Sequence, residues 1–394
     1  MPHLPAPDAD ALAHSGYLCA LIQEQIFASG GAIPFSRFME LCLYAPGLGY
    51  YSAGATKFGS DGDFITAPEL GPLFAACVAD SVAPVLRQLG PEAEFVEIGG
   101  GSGAFAEVAL KRLLALDALP ARYAILEPSA DLRQRQRARL HRHLNPLLFE
   151  LVEWLDAPLQ QPWNGVLFAN EVIDALPTPR FTLRAGAVFE EHVALDGEGR
   201  FIRVDRPADA LLVAAVRHVE RQLATPLQDG YRSELLPQLP YWVQAVIGGL
   251  RSGALLFIDY GYVRREYYLP ERDDGTLRAF YRHRMSSDVH AWPGLQDLTA
   301  SVDFTALAEA GNGAGFEFVG YCSQASFLIG NGLEQRLAEA EARAHDEGAR
   351  YRLRQEAKRL TLPSEMGERF QAMGFARDVE FGAAFLAGDL SWRL

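Results

Sequence analysis

The sequence predicts an α/β fold with a parallel, doubly wound sheet, and three features carry this prediction. Short apolar strands alternate with amphipathic helices from Glu94 onward, a glycine-rich turn follows the first of these strands, and polar side chains follow several others. Such alternation implies crossover connections, which join parallel strands. The strands are predicted at residues 94–98, 123–126, 147–152, 165–169 and 255–259.

Helical segments precede this alternation. Apolar residues recur at helical spacing over residues 15–45, and Gly30-Gly31 divides them into two helices. A loop rich in glycine, tyrosine and serine follows over residues 45–69, and Pro68-Glu69 is expected to begin a helix that runs through Leu86. The sheet is therefore expected to carry an N-terminal helical extension.

The alternation is interrupted after the fourth strand. Residues 181–203 alternate like a hairpin around Asp196–Gly199, and a helix is predicted over 208–223, so an insertion of about 55 residues precedes the fifth strand. Residues 333–360 are typical of one charged amphipathic helix. We therefore predict four parts: N-terminal helices and a loop (1–70), the core (71–180 and 236–330), a hairpin and helix insertion (181–235), and a C-terminal helical segment with the final strand or strands (331–394).

Composition excludes several classes of function. The 394 residues carry a formal charge of −14, which argues against a nucleic-acid partner, because phosphate binding needs clustered Lys and Arg. The four cysteines form no C-x-x-C pair, so no metal site is expected. No apolar run approaches the length of a membrane span, and no signal or transit peptide is recognised. We expect a cytoplasmic protein without membrane insertion.

The turn after the first strand predicts a cofactor site. Gly99, Gly101 and Gly103 alternate, so the backbone can bend sharply and approach a ligand, and the helix that begins near Ala104 directs free N–H groups at that ligand. The spacing also satisfies the dinucleotide fingerprint. A glycine turn that only packs a helix on a strand is the alternative without a ligand.

Glu97 favours one cofactor over the other. It lies two residues before Gly99, where a dinucleotide would place its pyrophosphate. A carboxylate repels phosphate but attracts the ammonium of an amino-acid-bearing cofactor, so S-adenosylmethionine fits better.

Three further residues are candidates for cofactor contacts. Glu127 ends the second strand, where a carboxylate can accept hydrogen bonds from both ribose hydroxyls; alternatively, it is a surface carboxylate that caps the turn at Pro128-Ser129. Trp154 and Leu155 follow the third strand, where an adenine ring would lie, although a Trp at a strand end belongs to the core equally often.

The fourth strand ends in Asn170, Glu171 and, three residues later, Asp174. Reactive groups lie at the carboxyl ends of parallel strands, so these side chains are expected near the group to be transferred. Two carboxylates can hold a guanidinium through charge-assisted hydrogen bonds. The alternative is that Asn170 and Asp174 cap a helix that starts at Val172.

Several segments together resemble the MidA-like methyltransferases over nearly the whole chain. They are Gly62–Glu69, the glycine turn, Ala169–Glu171 with Ala175–Pro177, Phe257–Gly261, Gly275–Arg278, His283, Pro293-Gly294, Asp297–Thr299, Val302–Phe304, Leu362-Pro363 and Met366–Glu368. The family includes a mitochondrial complex I assembly factor that methylates a protein arginine.

This resemblance implies a class I, Rossmann-like fold that uses S-adenosyl-L-methionine and dimethylates a protein arginine symmetrically. It also implies that Thr66 and Pro68, in the segment up to Glu69, cover the cofactor from the N-terminal side. His283 becomes a third candidate catalytic residue, although a lone His is more often packed or at the surface.

Three functions stay open from the sequence. The first is protein arginine methylation, with a substrate protein as partner. The second is an assembly factor that keeps the cofactor pocket but works by binding, and the third is a dinucleotide-dependent oxidoreductase. The insertion is also a candidate surface for a homodimer.

Overall fold

The computed structural model describes residues 5–52, 66–282, 284–286 and 288–394. Among them, no helix combines the length and the apolar composition needed to cross a bilayer. The helices are α1 (Ala9–Ala28), α2 (Phe35–Tyr44), α3 (Ala67–Leu70), α4 (Leu73–Leu89), α5 (Ala104–Ala115), α6 (Ala130–His143), α7 (Pro146–Glu150), α8 (Ala210–Gln222), α9 (Leu239–Ile247), α10 (Arg264–Tyr267), α11 (Phe304–Gly313), α12 (Gln324–Gly330), α13 (Leu333–Arg343) and α14 (Glu347–Thr361).

The strands alternate with these helices along most of the chain. They are β1 (Ala32–Pro34), β2 (Glu94–Ile98), β3 (Arg122–Leu126), β4 (Val152–Leu155), β5 (Trp163–Asn170), β6 (Arg180–Arg184), β7 (Ala187–Leu195), β8 (Phe201–Pro207), β9 (Arg232–Glu234), β10 (Leu250–Tyr262), β11 (Arg278–Tyr281), β12 (Arg284–Ser286), β13 (Asp297–Thr299), β14 (Val302-Asp303), β15 (Glu317–Ser323) and β16 (Phe370–Arg377).

The larger of two compact units comprises residues 66–172, Pro240–Gly261 and Phe304–Leu394. Its sheet has the order β15-β16-β10-β5-β2-β3-β4. The strands from β10 to β4 are parallel, whereas β16 is antiparallel to both β10 and β15. The predicted α/β fold with a doubly wound parallel sheet is confirmed.

Aromatic side chains fix the middle strands of this sheet. Phe95 and Tyr123 stack with ring centroids 4.9 Å apart, and Phe105 stacks on Phe168 at 4.4 Å. All four rings are buried. Because large rings leave little freedom for neighbouring strands to slide, they hold the carboxyl ends of β2, β3 and β5 in register.

The smaller unit comprises residues 5–52, Ile173–Leu239 and the described part of Tyr262–Asp303. Strands β1, β7, β6 and β9 follow one another in its antiparallel sheet, with β8 on β7, and β12, β11 and β13 form a second antiparallel sheet. The predicted hairpin around Asp196–Gly199 joins β7 to β8. The domain boundaries predicted from the sequence stay a prediction.

The helix predicted from Pro68 through Leu86 is wrong, because α3 and α4 are separate. A side chain at Gly71 would lie 2.1 Å from Oε2 of Glu356, a residue of α14. Oε1 of Glu356 accepts a 2.6 Å hydrogen bond from the N–H of Leu73, the first residue of α4. Gly71-Pro72 ends the first helix, since proline disfavours helical backbone in the residue before it, and the carboxyl of Glu356 caps the second.

Two other elements also differ from prediction, and local caps explain both. The third strand was expected at 147–152, but Pro146–Glu150 is helical, because Asn145 accepts from the N–H of Leu148 and Pro146 suits a first helical turn. The single helix over 333–360 is divided into α13 and α14, since Asp346 caps the second one through the N–H of Ala349.

We predict that Glu356→Gln changes how stability depends on pH. Burial raises the pKa of Glu356 to about 7, against hydrogen bonds from Leu73 and Phe74 that lower it. The unfolded chain then loses this proton at a lower pH than the folded protein, so the free energy of unfolding falls as pH rises from about 4.5 to about 7. The isosteric amide removes this decline, which is worth roughly 3 kcal/mol.

Urea denaturation between pH 4.5 and 8 measures the effect. Glu334→Gln, at an exposed position of α13, is the control and is expected to follow the wild type. Parallel stability curves for wild type and Glu356→Gln would contradict the assignment.

Candidate functional site

The turn between β2 and α5 has left-handed backbone at alternate residues. Gly99, Gly101 and Gly103 have φ of 70°, 51° and 83°. L-residues rarely adopt these values, so glycine is required at all three. A side chain at Gly99 would come within 3.0 Å of Val172, whereas nothing lies within 4 Å of the position a Cβ would take at Gly101. The turn therefore leaves space for a ligand beside Gly101.

Glu97 is a buried carboxylate at the carboxyl end of β2. Its Oε2 accepts a 2.7 Å hydrogen bond from the hydroxyl of Tyr123 on β3. Burial raises the pKa of Glu97 to about 8, the hydrogen bond from Tyr123 lowers it, and the nearby Glu127 raises it further. A cation near this carboxylate would stabilise its ionised form.

Glu127 follows β3 directly and is also buried, so the alternative that it is a surface carboxylate is wrong. Its Oε1 accepts from the N–H of Ser129 at 3.0 Å, and its Oε2 accepts from Nε2 of Gln136 at 3.1 Å. Burial raises the pKa of Glu127 to about 7 against these hydrogen bonds, which lower it. The carboxylate thus caps the turn at Ser129 within the same cluster as the glycine turn.

Gln136 is a site residue that the sequence analysis missed. Its fully buried amide donates to the carbonyl of Gly101 at 3.0 Å as well as to Glu127, and accepts from the indole N–H of Trp154 at 2.9 Å. One side chain thus joins the glycine turn, the end of β3 and β4. It lies between Leu132 and Leu140 on the buried stripe of α6, and a polar residue within an apolar helical stripe was the available indication.

Trp154 and Leu155 lie on β4. The indole of Trp154 is half-buried, and the guanidinium of Arg137 lies 4.7 Å from the centre of its ring. One face of the indole is therefore occupied by a cation–π contact. Leu155 is buried and pairs with Leu126 of β3. Their contact with an adenine ring stays a prediction.

The segment from Thr66 to Glu69 contacts two parts of the site. The hydroxyl of Ser102, in the glycine turn, donates to Oε1 of Glu69. The N–H of Ala67 donates to Oε1 of Glu171 at 3.4 Å, a long hydrogen bond. Thr66 and Pro68 are half-buried in the same segment. The structure therefore brings this segment to both the glycine turn and the end of β5.

Asn170 and Glu171 lie at and directly after the end of β5. Glu171 has φ of 53°, a left-handed conformation that costs a non-glycine residue roughly 1 kcal/mol, and its N–H donates to Ile258 of β10 at 3.0 Å. Its Oε1 accepts from Nδ2 of Asn170 at 3.1 Å. Oδ1 of Asn170 is buried without a hydrogen-bond partner in the described structure. Such an acceptor is suited to a donor from a ligand.

Asp174 belongs to the smaller unit and is buried. Its carbonyl accepts from the N–H of Ala300 at 2.9 Å. No helix begins at Val172 within the described stretch of residues 66–282, so the interpretation of Asp174 as a helix cap is wrong. His283 lies outside the described residues.

The donors and acceptors of the larger unit fit a ligand with an amino group and hydroxyl groups. Glu97 and Glu127 are acceptors, Asn170 supplies an unsatisfied acceptor, and Gly101 has open space beside it. Phosphate would meet carboxylates here, which is unfavourable. The site thus favours an amino-acid-bearing nucleoside over a dinucleotide.

Comparison with known proteins agrees with this chemistry. Residues 77–322 match the model of a family described as "putative S-adenosyl-L-methionine-dependent methyltransferase". The chain is similar to a Burkholderia thailandensis protein solved with bound S-adenosyl-homocysteine, with 41% identity, complete coverage of both chains and a TM-score of 0.91. A second, native structure from the same organism has 40% identity, complete coverage of both chains and a TM-score of 0.89.

Curated relatives are more distant. The protein arginine methyltransferase NDUFAF7 homolog, mitochondrial, of Drosophila melanogaster is 28% identical over 93% of this chain and 86% of its own length. The protein arginine methyltransferase NDUFAF7, mitochondrial, of Homo sapiens is 26% identical over 87% of this chain and 79% of its own length.

We predict that Gln136→Leu destabilises the protein by about 2–4 kcal/mol, because it leaves the Trp154 indole N–H and the Gly101 carbonyl without their buried partner. Gln134→Leu, at an exposed position of the same helix, is the matched control and is expected to change little. Equilibrium urea denaturation compares the two variants. Equal stability of both would refute the joining role of Gln136.

Proposed function

The chain belongs to this family of S-adenosyl-L-methionine-dependent methyltransferases, and we propose that it methylates arginine in a protein. The proposed product is symmetrically dimethylated arginine, on a respiratory complex I subunit or a similar protein. One observation carries the choice of acceptor. The carboxylate of Glu171 is held directly after β5 by a left-handed backbone conformation that costs a non-glycine residue roughly 1 kcal/mol. The names of the curated relatives support the same acceptor.

We also propose that the cofactor site consists of the predicted residues in the larger unit. Glu97 would accept hydrogen bonds from the amino group of the cofactor, and Glu127 from its ribose hydroxyls. Asn170 would accept one further hydrogen bond from the cofactor through its unsatisfied Oδ1. Gln136 would hold Glu127 against the glycine turn. When bound, S-adenosyl-L-methionine supplies an electrophilic methyl group on a sulfonium.

The chain's own residues would prepare the nucleophile. An arginine side chain is protonated in water, so a guanidinium nitrogen must lose a proton as its new N–CH₃ bond forms. Glu171 would accept hydrogen bonds from the guanidinium, concentrate electron density on the attacking nitrogen, and take the proton on its carboxylate. For Asp174, three residues later in the chain, contact with the guanidinium stays the prediction made from the sequence. The roles of both residues, and of His283, are proposals.

An extract of cells that lack this protein tests the activity. Purified protein and S-adenosyl-L-methionine with a labelled methyl group are added, and the labelled residue is identified after hydrolysis. Methylarginine supports the proposal, and label on another residue refutes the arginine acceptor. Absence of label favours the second function, an assembly factor that binds the cofactor without catalysis. The cytoplasmic location, the homodimer and the lack of a nucleic-acid partner stay predictions.

Glu171→Gln is expected to lower kcat about 100-fold and to change the Kd of S-adenosyl-homocysteine less than threefold. The amide still accepts from Ala67 and Asn170, but it cannot take the proton. Glu150→Gln, at an exposed position of the same unit, is the control. Wild-type turnover in the Glu171 variant would show that the proposed role is wrong.

Binding of S-adenosyl-homocysteine at pH 7 is expected to release on the order of one proton. Burial raises the pKa of Glu97 to about 8, so this carboxyl is about nine-tenths protonated at pH 7 without ligand, and an ammonium beside it favours the ionised form. Affinity should therefore rise as pH rises from 6 to 8.

Calorimetry in buffers of different ionisation enthalpy counts the released protons. Glu97→Gln is expected to release fewer, because the amide has no proton to lose in this range. Equal proton release by both proteins would argue against contact between Glu97 and the amino group.

A further inference from the structure

Ser102 connects the glycine turn to two other elements of the larger unit. Its hydroxyl donates to Oε1 of Glu69, at the end of the segment that begins with Thr66. The same oxygen accepts a 3.2 Å hydrogen bond from Nη1 of Arg139 on α6. A guanidinium can only donate, and a hydroxyl has one hydrogen to give, so the direction of both hydrogen bonds is fixed. The hydrogen of the Ser102 hydroxyl therefore points to Glu69.

Arg139 is itself held by a buried carboxylate. Its Nε donates to Oε2 of Glu107 on α5 at 2.9 Å, and Nζ of Lys111 donates to Oε1 of Glu107 at 2.8 Å. Burial acts to raise the pKa of Glu107, but the hydrogen bonds and charges of Lys111 and Arg139 outweigh it and lower the pKa. Glu107 is therefore ionised at neutral pH, and this charge fixes the guanidinium that contacts Ser102.

The segment that ends in Glu69 lies beside the candidate cofactor site. The N–H of Ala67 donates to Oε1 of Glu171 at 3.4 Å, so the segment contacts the end of β5 as well as the glycine turn. Gly101, which has open space beside it, directly precedes Ser102. A ligand in that space would therefore lie next to the residue that holds the segment.

We infer that Ser102 and Arg139 are positioning residues that hold the segment from Thr66 to Glu69 against the glycine turn, and that this contact slows the release of the cofactor and of its product. The inference rests on the proposed cofactor site, but it does not depend on which acceptor is methylated. Both residues act through Glu69, and neither needs to touch the reacting atoms.

Preorganisation of the segment accounts for the effect on release. The segment is already held in place before a ligand binds, so little binding energy is used to order it. Without the hydroxyl of Ser102, the Glu69 end loses its attachment, and the binding energy of the ligand must offset the cost of ordering it. Affinity lost in this way appears mainly as faster dissociation.

Ser102→Ala is expected to speed the dissociation of S-adenosyl-homocysteine about fivefold, as is typical of a partly exposed charged contact. The rate is measured with radiolabelled S-adenosyl-homocysteine, bound to the full-length protein and chased with an excess of the unlabelled compound. Ser102→Thr keeps the hydroxyl and is expected to stay within about twofold of the wild type. Ser364→Ala, at an exposed position of the same unit, is the control.

A double-mutant cycle tests whether Ser102 and Glu69 act through one contact. Glu69→Ala alone is expected to speed dissociation about fivefold, and so is its combination with Ser102→Ala, because either change breaks the same hydrogen bond. Independent effects would multiply to about 25-fold, and that outcome would overturn the inference.

Arg139→Gln tests the second positioning residue. It is expected to speed dissociation about threefold, because the Ser102 hydroxyl loses the donor that orients it. Lys111→Gln removes a different donor from Glu107 and is the matched control, expected to release the ligand like the wild type. Equal acceleration by both variants would show that Arg139 acts through Glu107 on the fold and would overturn its positioning role.

The melting temperature of the ligand-free protein separates this role from a purely structural one. A lower melting temperature in Ser102→Ala with dissociation at the wild-type rate overturns the inference, even if methylarginine forms in the extract. Faster dissociation in Ser102→Ala that Ser102→Thr does not share supports the inference. If the label in the extract is then found on another residue, the proposed arginine acceptor fails and the positioning role stands.

Discussion

The left-handed backbone of the turn after β2 is the constraint around which the candidate site is arranged. Glycine adopts that conformation at three alternate positions without the steric cost that a side chain would add, and the absent side chains leave polar backbone groups close to neighbouring elements. Gln136 donates a hydrogen bond to the carbonyl of Gly101, and Ser102 donates one to Glu69. Val172 lies next to Gly99. The turn therefore contacts α6, α3 and the end of β5. A substitution in one of these elements would shift the turn and so disturb its contacts with the other two.

Three buried carboxylates of the larger unit differ in the hydrogen-bond donors that they accept from. Glu356 accepts from backbone N–H groups at the start of α4, which is a structural use of the charge. Glu127 receives one backbone and one side-chain donor. Glu97 receives the Tyr123 hydroxyl, and an ionised carboxylate has about four acceptor positions, so capacity remains for a ligand ammonium. Burial is costly for all three, and at Glu97 and Glu127 the proposed contacts with the cofactor would offset part of that cost.

Local patterns were enough to predict four of the parallel strands, β2, β3, β5 and β10, and the glycine turn. The bounds of β2 agree with the sequence prediction, because an apolar run followed by alternating glycines leaves few other conformations. The break at Gly71 was missed although Gly71-Pro72 is a local breaker signal. The cap on α4 was not predictable in this way, since it comes from Glu356, 283 residues beyond Leu73. Gln136 was missed for a similar reason: a buried amide is identified by its partners, which lie on three separate elements. Helix α7 was missed because the apolar run over 147–152 also suits a strand, although Asn145-Pro146 is a typical helix start.

The fold and the cofactor do not determine the acceptor, because Rossmann-like folds serve many reactions. The charge at the end of β5 limits which class of methyl acceptor can bind there. An anionic acceptor would be repelled by the carboxylate of Glu171 at the end of β5, whereas a cationic acceptor would be attracted by it. A guanidinium is such a cation, and the nitrogen that receives the methyl group must lose a proton, which the proposed role of Glu171 provides for. In the proposed reaction, the same carboxylate would therefore both bind the arginine and take its proton.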